Sequence, residues 1–320
     1  MTADAETTSA WLETGAWLET IEDAVSRSGA SMVLPADGKA SELVAALQDR
    51  LSVPAFPMLP LKKFQTLNNK WAFYQLCRQL DLPTPATWRF QDKSSLLAAI
   101  GGGELPESLI AKPLCGAGGI GVVPFTARNA AHELEQVDYE PILVQEYIDG
   151  EHIGLSVFTS KGSIVAATVH QIRGQRFFFK PNEEYLGYGR TIAATMETEG
   201  AMNFDAQMSR DGRIYLLECN PRVFLTMDYV AIAGINFVAM GLRDWNGRRP
   251  LTVPAPEIAV PEVAIRSPMG FLGALLKPWR VEPADLRMAR FALADPIPLL
   301  IETSRLVWLR LSTPSGVRRM

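Results

Sequence analysis

The sequence NFDAQMSRDGRIYLLECNPR, at residues 203–222, predicts a β-hairpin with an acidic side chain on each strand. Its central pair, Asp211-Gly212, is typical of a two-residue hairpin turn in which both residues have positive φ. A hairpin centred on this pair places Asp205 directly opposite Glu218. Because opposed residues have Cβ atoms ~5 Å apart, the two carboxylates are expected to be neighbours.

The same register predicts what surrounds the carboxylates. It pairs Gln207 with Leu216, and the two-residue period of a strand puts Asn203 and Asn220 on the acidic face. Neighbouring carboxylates repel each other unless a cation lies between them. Mg²⁺ binds oxygen ligands and is usually shared with substrate phosphates. The predicted ligands of Mg²⁺, with Mn²⁺ as an alternative ion, are Asp205, Glu218 and Asn220.

Composition narrows the class of protein. The 320 residues are 48% hydrophobic and 21% charged, as in an ordinary soluble globular protein. The formal net charge of −4 gives no electrostatic reason to expect a nucleic-acid partner. The three cysteines lack metal-type spacing, and neither a signal-peptide pattern nor a membrane-length apolar run is found. A cytoplasmic protein without a transmembrane segment is expected.

A glycine-rich segment, KPLCGAGGIGVV at residues 112–123, contains the spacing G-x-G-x-x-G at Gly116, Gly118 and Gly121. A dinucleotide-binding loop would open a helix, whereas a β-type run follows here. A protein kinase loop does join two strands, but the kinase catalytic motifs are absent from the sequence. The remaining interpretation is a flexible loop whose N–H groups approach phosphates, with Lys112 as a fixed positive charge; a plain mobile turn is the alternative.

The remaining pattern predicts an α+β (α/β) fold with an antiparallel component. Mainly strands are expected from residue 163 to 220, and prolines after Arg248 predict a linker into a C-terminal segment. The other expected elements are a helix at 8–28, a strand at 31–35, a helix from Ser41 to Arg50, a helix that starts near residue 68 and stops before Pro83, a helix ending near Ile100, and strand, loop, strand, helix and strand over 108–158.

Four segments, taken in order, resemble the ATP-grasp superfamily of carboxylate ligases. They are LNNKWAFYQLCRQLDLPTPAT, LIAKPLCGAGGIGV, PILVQEYIDGEHIGLSVF and ECNPR, and the likeness covers roughly residues 60–240. The nearest branch is that of the carbamoyl phosphate synthetase large chain and biotin carboxylase. The resemblance implies an ATP-grasp fold in which two α+β lobes clasp ATP, preceded by a truncated Rossmann-like region.

The resemblance also assigns roles to individual residues. The hinge segment at 145–148 is implied to lie beside adenine, and His152 stands where the family often places a ribose-binding Glu or His. Asp205 with the ECNPR segment matches the magnesium triad, and Arg222 and Lys112 are implied to act in catalysis. The residues implied to bind ATP are Lys70, Lys112, Gly116, Gly118, Gly119, Gln145, Glu146, Ile148 and His152.

The same resemblance divides the chain into four regions. They are a partial pre-ATP-grasp α/β region at 1–60, a small-lobe region with a helical linker at 61–142, a large lobe with the metal site at 143–248, and a C-terminal extension at 249–320. Because residues 1–60 hold only about half of the family's usual first domain, the acceptor side of the site is expected to be more open, or to be completed by the C-terminal extension or another chain.

Departures from the family pattern bear on the substrate. The synthetase halves carry a second arginine where this chain has Leu225, and biotin carboxylases carry a glutamate where it has Thr226. Bicarbonate is therefore not the expected substrate. Asn69 replaces an Asp that is common before the first lysine and leaves Lys70 itself unchanged.

The implied activity is that of a carboxylate–amine ligase. ATP phosphorylates a small-molecule carboxylate, and an amine or related nucleophile captures the acylphosphate with release of ADP and phosphate. Two alternatives stay open: a non-catalytic ATP-binding scaffold or regulatory subunit, and an ATP-dependent phosphotransferase. A packed C-terminal extension that contacts a homodimer partner or another chain is also expected, with an interfacial membrane helix as the alternative for this segment.

Several further polar residues are candidates for the site. His170 is expected to be either a structural histidine or a polar group near the phosphates. Arg173, Arg176 and Arg190 are candidates for holding an acidic substrate, with solvated arginines as the alternative.

Overall fold

The computed structural model describes residues 15–116, 118–174, 176–224, 226–245, 258–259, 263–266, 279, 281–297, 301 and 304. Within these residues, two β-sheets are combined with helices, which confirms the predicted α+β class. The helices that precede the sheets are α1 (Ala16–Ser28), α2 (Gly38–Leu47), α3 (Leu61–Asn68) and α4 (Lys70–Gln79).

The N-terminal region differs in detail from the predicted helix, strand and helix. Residues 8–14 of the first predicted helix lie outside the described residues, and the predicted strand is reduced to one parallel bridge at Val33. Helix α2 begins before the predicted cap, Ser41, because Asp37 caps it instead: the Asp37 Oδ1 atom accepts the Ala40 N–H at 2.8 Å.

The smaller sheet is antiparallel, with strand order β1-β4-β2-β3. The glycine-rich segment joins β2 to β3, so the prediction of a strand–loop–strand unit is confirmed. The elements of this region are β1 (Thr87–Phe90), α5 (Lys93–Gly101), β2 (Ser108–Pro113), β3 (Val123–Thr126), α6 (Ala130–Glu133) and β4 (Ile142–Glu146).

The larger sheet has the strand order β11-β7-β6-β5-β8-β9, and β10 pairs with β6. Its long central strands, β5 and β6, are antiparallel to each other. The elements of this region are β5 (Gly150–Ser160), β6 (Ser163–Arg173), β7 (Arg176–Phe179), α7 (Glu183–Met196), β8 (Gly200–Ser209), β9 (Ile214–Asn220), α8 (Met227–Ala233), α9 (Phe237–Trp245), β10 (Ile258–Ala259), β11 (Val263–Arg266) and α10 (Pro283–Ala294).

Helix α7 was not predicted, since mainly strands were expected between residues 163 and 220. The helix starts where the Asn182 side chain accepts the Tyr185 N–H at 2.9 Å. Tyr185 and Ile192 are fully buried against β5 and β6. A capping residue and tertiary burial therefore outweigh the low helix propensity of the glycines and threonines in this segment.

The two faces of the larger sheet have different partners. Helices α3, α4 and α7 cover one face, and their buried side chains form a core with Leu155 and Phe204. Although α3 and α4 lie in the predicted small-lobe range, both contact β9 of the larger sheet. The other face carries a core that includes Phe158 and Phe237, and at its hairpin end it presents the acidic side chains.

The hairpin between β8 and β9 differs from the predicted one at its turn. The Ser209 N–H donates to the Arg213 carbonyl at 2.9 Å, so the loop has three residues rather than two. Gly212 has φ of 88°, whereas Asp211 is not a positive-φ residue. The prediction that both central residues have positive φ was wrong, because a three-residue loop requires it only of its last residue.

The longer turn shifts the pairing next to it, and a β-bulge shifts the pairing back. Gln207 lies opposite Tyr215, so the predicted pairing with Leu216 was wrong. Further along, the ladder skips Leu217, and Asp205 pairs with Glu218 as predicted. The extra turn residue and the extra strand residue therefore compensate each other.

Most of the predicted C-terminal extension lies outside the described residues. Its described part packs on the edge of the larger sheet, where Arg266 forms an ion pair with the buried Asp285 of α10. Arg176 contacts Glu282 at 2.9 Å beside this pair. No helix in the described part of the chain is both long and apolar enough to cross a bilayer.

Candidate functional site

Two carboxylates of the hairpin form the acidic side of the site. The Asn220 amide nitrogen donates to the Asp205 Oδ2 atom at 3.1 Å and to the Glu218 Oε1 atom at 3.3 Å. The Asn203 amide nitrogen donates to the Asp205 Oδ1 atom at 3.0 Å. The predicted metal residues Asp205, Glu218 and Asn220 are thus brought together on one face.

The amide of Asn220 has a defined orientation. Its nitrogen faces the carboxylates, while its Oδ1 atom accepts a hydrogen bond from Arg222 Nη2 at 2.7 Å. Asn220 can therefore offer its oxygen to a cation only if its amide rotates. Within the described ranges, no group of three or more His, Cys, Asp or Glu side chains has metal-binding geometry. Two carboxylates facing one opening still fit Mg²⁺, which completes its shell with waters and substrate phosphates.

His152 extends the acidic cluster along β5. Its Nε2 atom lies 3.3 Å from Asp205 Oδ1, and this hydrogen bond raises the pKa of His152 despite the opposing effect of burial. Burial alone would raise the pKa of Asp205, but the hydrogen bonds from His152 and Asn203 outweigh it and lower that pKa. The imidazole, predicted to bind a ribose, here also keeps Asp205 ionised.

Lys70 connects the acidic cluster to the glycine-rich loop. Its Nζ atom lies 3.1 Å from Glu218 Oε2 and donates to the Gly116 carbonyl at 3.2 Å. Lys70 occupies the first position of α4 because Asn69 caps that helix, accepting the N–H groups of Trp71 and Ala72 at 3.0 and 3.1 Å. The ammonium group is thus a cation in direct contact with a predicted metal ligand.

Lys112, at the end of β2, is held by a neutral group. Its Nζ atom donates to Gln145 Oε1 at 2.7 Å. Burial lowers the pKa of Lys112 to about 8; Lys70 also lowers it, whereas Glu218 and Asp205 oppose the shift. A buried lysine whose pKa lies close to neutral pH is stabilised in its charged form when an anionic ligand binds beside it.

The loop after Lys112 has the backbone expected of a glycine-rich phosphate loop. Gly116, Gly118, Gly119 and Gly121 have φ values of 138°, 70°, 72° and 75°. Such values favour glycine, which has no Cβ to oppose them. At its far end, the Tyr139 hydroxyl donates to the Gly121 carbonyl at 2.6 Å, so the loop is fixed at both ends.

The hinge after β4 has one unused backbone donor. The Glu146 and Tyr147 N–H groups donate to the carbonyls of Ala86 and Ser108 at 2.9 and 3.0 Å. For the Ile148 N–H, the described residues provide no acceptor. A free N–H at the edge of a cavity is suited to an acceptor atom of a heteroaromatic base.

A cavity of about 400 Å³ lies between the two sheets and is lined by residues of the hinge, the glycine-rich loop and the acidic cluster, whereas Lys70, Gly116 and Asn220 do not line it. One end is apolar and adjoins the hinge, and the other end holds Lys112, Asp205 and Glu218. Its lining residues are Ile110, Lys112, Gly118, Gly119, Val122, Gln145, Glu146, Tyr147, Ile148, His152, Asp205, Gln207, Leu217 and Glu218.

Arg222 lies beside the acidic cluster and against the N-terminal region. Its Nη1 atom donates to the Val223 carbonyl at 3.2 Å, while its buried Nε atom has no partner among the described residues. A Cβ atom added to Gly38 would lie 3.2 Å from Arg222 Nε. Burial lowers the pKa of Arg222, but Glu218 and other anionic neighbours limit the effect. The start of α2 thus forms a wall of the site that the sequence did not reveal.

The additional candidates lie elsewhere. His170 is buried on the acidic face, where its ring fills the space above Gly154, and burial lowers its pKa to about 4. Each of the three candidate arginines contacts a glutamate outside the cavity: Arg173 with Glu151, Arg176 with Glu282 and Arg190 with Glu183. Leu225 lies outside the described residues, and the side chain of Thr226 does not line the cavity.

Two sheets around a cavity, two buried lysines, a glycine-rich loop and a carboxylate pair agree with the ATP-grasp fold. The chain has this fold, as the solved structures that it resembles show. The family model that it matches is described as "ATP-grasp in the biosynthetic pathway with Ter operon", and the match covers residues 138–265.

Two curated proteins are similar to parts of this chain. An uncharacterised protein of Methanocaldococcus jannaschii is 25% identical over 186 residues, which are 57% of this chain and 47% of that protein. The arginine-specific carbamoyl phosphate synthase large chain of Geobacillus stearothermophilus is 27% identical over 184 residues, which are 52% of this chain and 17% of that protein. The chain therefore spans less than half the length of these relatives.

Solved structures show the same fold at low sequence identity. The biotin carboxylase domain of Hydrogenobacter thermophilus 2-oxoglutarate carboxylase, in complex with MgADP, ADP and bicarbonate, has a TM-score of 0.59 and 19% identity over 74% of this chain and 58% of that one. The L-amino acid ligase of Bacillus licheniformis has a TM-score of 0.57 and 18% identity over 71% of this chain and 59% of that one.

Proposed function

We propose that this protein is an ATP-dependent carboxylate–amine ligase that requires Mg²⁺. The observation that carries the proposal is the cavity in which Asp205 and Glu218 of one sheet face Lys112 of the other. A metal–nucleotide complex carries the two kinds of charge that these residues complement. Among the solved structures that share the fold, one is named as an L-amino acid ligase.

The proposal includes an orientation for the nucleotide in the cavity. Its base lies at the apolar hinge, where the Ile148 N–H and the neighbouring Glu146 carbonyl can read its edge, and His152 lies beside the ribose. The phosphates lie under the loop of Gly116, Gly118 and Gly119, within reach of Lys70 and Lys112. Gln145 lies beneath the base and holds the Lys112 ammonium group.

Asp205 and Glu218 would hold Mg²⁺, with Asn220 as a third oxygen ligand if its amide rotates. When bound, the ion neutralises phosphate charge and orients the terminal phosphoryl group. Lys70 is 3.1 Å from Glu218 and would exchange this carboxylate for a phosphate when the metal enters. The chain's own residues then surround the reacting groups without a protein nucleophile.

The proposed reaction has two steps. A substrate carboxylate oxygen attacks the terminal phosphorus of ATP, and the bond between that phosphorus and ADP breaks. The amine nitrogen then attacks the acylphosphate carbonyl, phosphate leaves, and the amine proton passes to solvent or a nearby base. Arg222, whose Nε atom has no partner in the described part of the chain, is placed to hold the carboxylate and the developing charge.

The function is tested by ADP release from purified protein with MgATP and a panel of carboxylates crossed with amines. We expect release that requires both substrates and that falls roughly a hundredfold in Glu218→Gln. Asp211→Asn, at the exposed tip of the same hairpin, is the matched control. With an ¹⁸O-labelled carboxylate, the label should appear in released phosphate.

The two alternatives predict different results. A scaffold would bind ATP tightly and give no turnover with any pair in the panel. A phosphotransferase would give a stable phosphorylated acceptor and release no labelled phosphate. A cytoplasmic site of action is part of the proposal, because it supplies ATP and suits a chain whose cysteines form no disulfide within the described residues.

A further inference from the structure

A series of buried hydrogen bonds runs from Thr87 of β1 to Lys112 in the wall of the cavity. The Thr87 hydroxyl donates to the Pro85 carbonyl at 2.9 Å and accepts the Gln145 Nε2 group at 2.8 Å. Gln145 in turn accepts Lys112 through Oε1 at 2.7 Å. Thr87, Gln145 and Lys112 are all buried, so water does not compete for these bonds.

The direction of these hydrogen bonds is determined by the groups at the two ends of the series. A threonine hydroxyl has one proton, and Thr87 uses it on the Pro85 carbonyl, which can only accept. Its oxygen is therefore left to accept, and the Gln145 amide must present its nitrogen to Thr87. The amide oxygen then faces Lys112, whose ammonium group can only donate.

Strand pairing places these groups in contact although they are distant in sequence. Thr87 pairs directly with Gln145 across β1 and β4, and Gln145 pairs with Ile110 of β2, two residues before Lys112. Thr87 itself does not line the cavity, whereas Gln145 and Lys112 do. Any effect of Thr87 on a ligand must therefore pass through Gln145.

We propose that Thr87 is a positioning residue for ATP binding: its hydroxyl fixes the Gln145 amide so that the amide oxygen holds the Lys112 ammonium group toward the phosphates. Without the hydroxyl, the amide loses the partner that defines its orientation. The amide is then held only through Lys112, so the amide and the ammonium group can shift together away from the position suited to the phosphates. This inference rests on the proposed role of Lys112 in ATP binding.

The test compares Thr87→Val, which keeps the shape and removes the hydroxyl, with Thr87→Ser, which keeps the hydroxyl. Binding of a non-hydrolysable MgATP analogue is measured by calorimetry on the full chain. We expect the Kd of Thr87→Val to rise about fivefold to tenfold, as for loss of a buried hydrogen bond to a charged network. Thr87→Ser should stay within about twofold of the wild type.

Thr159→Val is the matched control, because Thr159 is a fully buried threonine whose hydroxyl donates to the Gly200 carbonyl at 3.2 Å in the larger sheet. It should lower the thermal stability without changing the Kd. In turnover, Thr87→Val should raise the KM for ATP and leave the KM for the carboxylate unchanged. A merely structural defect would change both.

The possible failures are distinguishable. If the wild type binds no MgATP analogue, the proposed function fails. If the wild type binds it and Thr87→Val binds equally well, the proposed function stands and the inference about Thr87 is overturned. Should Thr87→Val not fold, Thr87→Ala replaces it; unchanged affinity in that variant would also overturn the inference.

Discussion

The two sheets approach the cavity with opposite charges and hold them differently. On the smaller sheet, Lys112 is buried and its ammonium group rests on the neutral amide of Gln145. On the larger sheet, Asp205 and Glu218 are held by amide N–H groups and by His152. On both sheets, neutral amide groups help to keep these charges in place without cancelling them. The cavity is thus prepared for a ligand that carries both a cation and an anion.

Lys70 is the exception that makes the comparison informative. Its ammonium group forms an ion pair with Glu218. Lys70 and Lys112 are equally buried, each 6% exposed, but Lys112 rests on a neutral amide, and burial lowers its pKa to about 8. In the proposed function, Lys70 would balance the carboxylates before a ligand binds, and Lys112 would bind an anionic group of the ligand.

The largest expected effect comes from breaking the acidic side. Asp205→Asn removes a charge but keeps the shape, and turnover should fall roughly a hundredfold or more, as when a preorganised electrostatic group is lost. Steady-state ADP release measures this loss. The conservative change at the hairpin tip, Asp211→Asn, should leave turnover unchanged; equal losses in both variants would mean that the site is not at this end of the hairpin.

The next prediction concerns the pH dependence of ATP binding that the lowered pKa of Lys112 should cause. Because the pKa of Lys112 is about 8, ATP affinity should fall by up to about tenfold for each pH unit above that value. Lys112→Arg stays charged and should flatten this limb. Calorimetric titration with an ATP analogue between pH 7 and about 10 gives the comparison, and a limb that persists in Lys112→Arg would assign it to another group.

Folding stability should change with pH in the opposite direction. An unfolded lysine has the higher pKa, near its ordinary value of 10.5, so the unfolded state binds more protons than the folded state above about pH 8. The free energy of unfolding should therefore rise as the pH rises from about 8 toward 10.5. Denaturant titrations of the ligand-free protein test this, with Lys112→Met as the variant in which the rise disappears.

A smaller effect concerns the loop over the cationic side. Tyr139→Phe removes the hydroxyl that holds Gly121, and we expect the KM for ATP to rise about fivefold, near the value of one net hydrogen bond. Tyr188→Phe, which removes a hydroxyl bonded to Glu184 on the surface of α7, is the control. An unchanged KM in Tyr139→Phe would show that the loop closes without this contact.

The smallest effect separates the two substrates. Gly38→Ala brings a methyl group to 3.2 Å from Arg222 Nε and should displace the guanidinium group slightly. We expect the KM for the carboxylate to rise roughly threefold, the cost of a strained side-chain rotamer, with ATP binding unchanged. Gly101→Ala, where an added Cβ meets nothing within 4 Å, is the matched control.

Local patterns predicted much of this arrangement, and distant pairings account for what they missed. The glycine loop and the pairing of Asp205 with Glu218 could be predicted because turn and period signals lie within a few residues of each other. Even there, two errors compensated: the turn is one residue longer, and the bulge restores the register. The Thr87 contact could not be predicted, because it joins residues 58 apart through strand pairing.

Contacts between residues that are distant in sequence also decide the surroundings of the three candidate arginines. Arg173, Arg176 and Arg190 carry the right charge for an acidic substrate, but sequence alone does not show that a glutamate lies beside each. Gly38 was overlooked for the converse reason: nothing near it in sequence indicates that the start of α2 touches Arg222. Charge identifies candidates, and the fold decides which of them face the cavity.

The β-bulge at Leu217 has a consequence for the shape of the cavity. In a regular strand, consecutive side chains point to opposite sides, so a wall built from one strand can use only every second residue. Leu217 and Glu218 are consecutive, and both line the cavity. The interrupted alternation lets one strand present an apolar side chain and, in the next residue, a carboxylate to the same cavity. In the proposed function, a single peptide unit would then separate the surface for the base from a ligand of the ion.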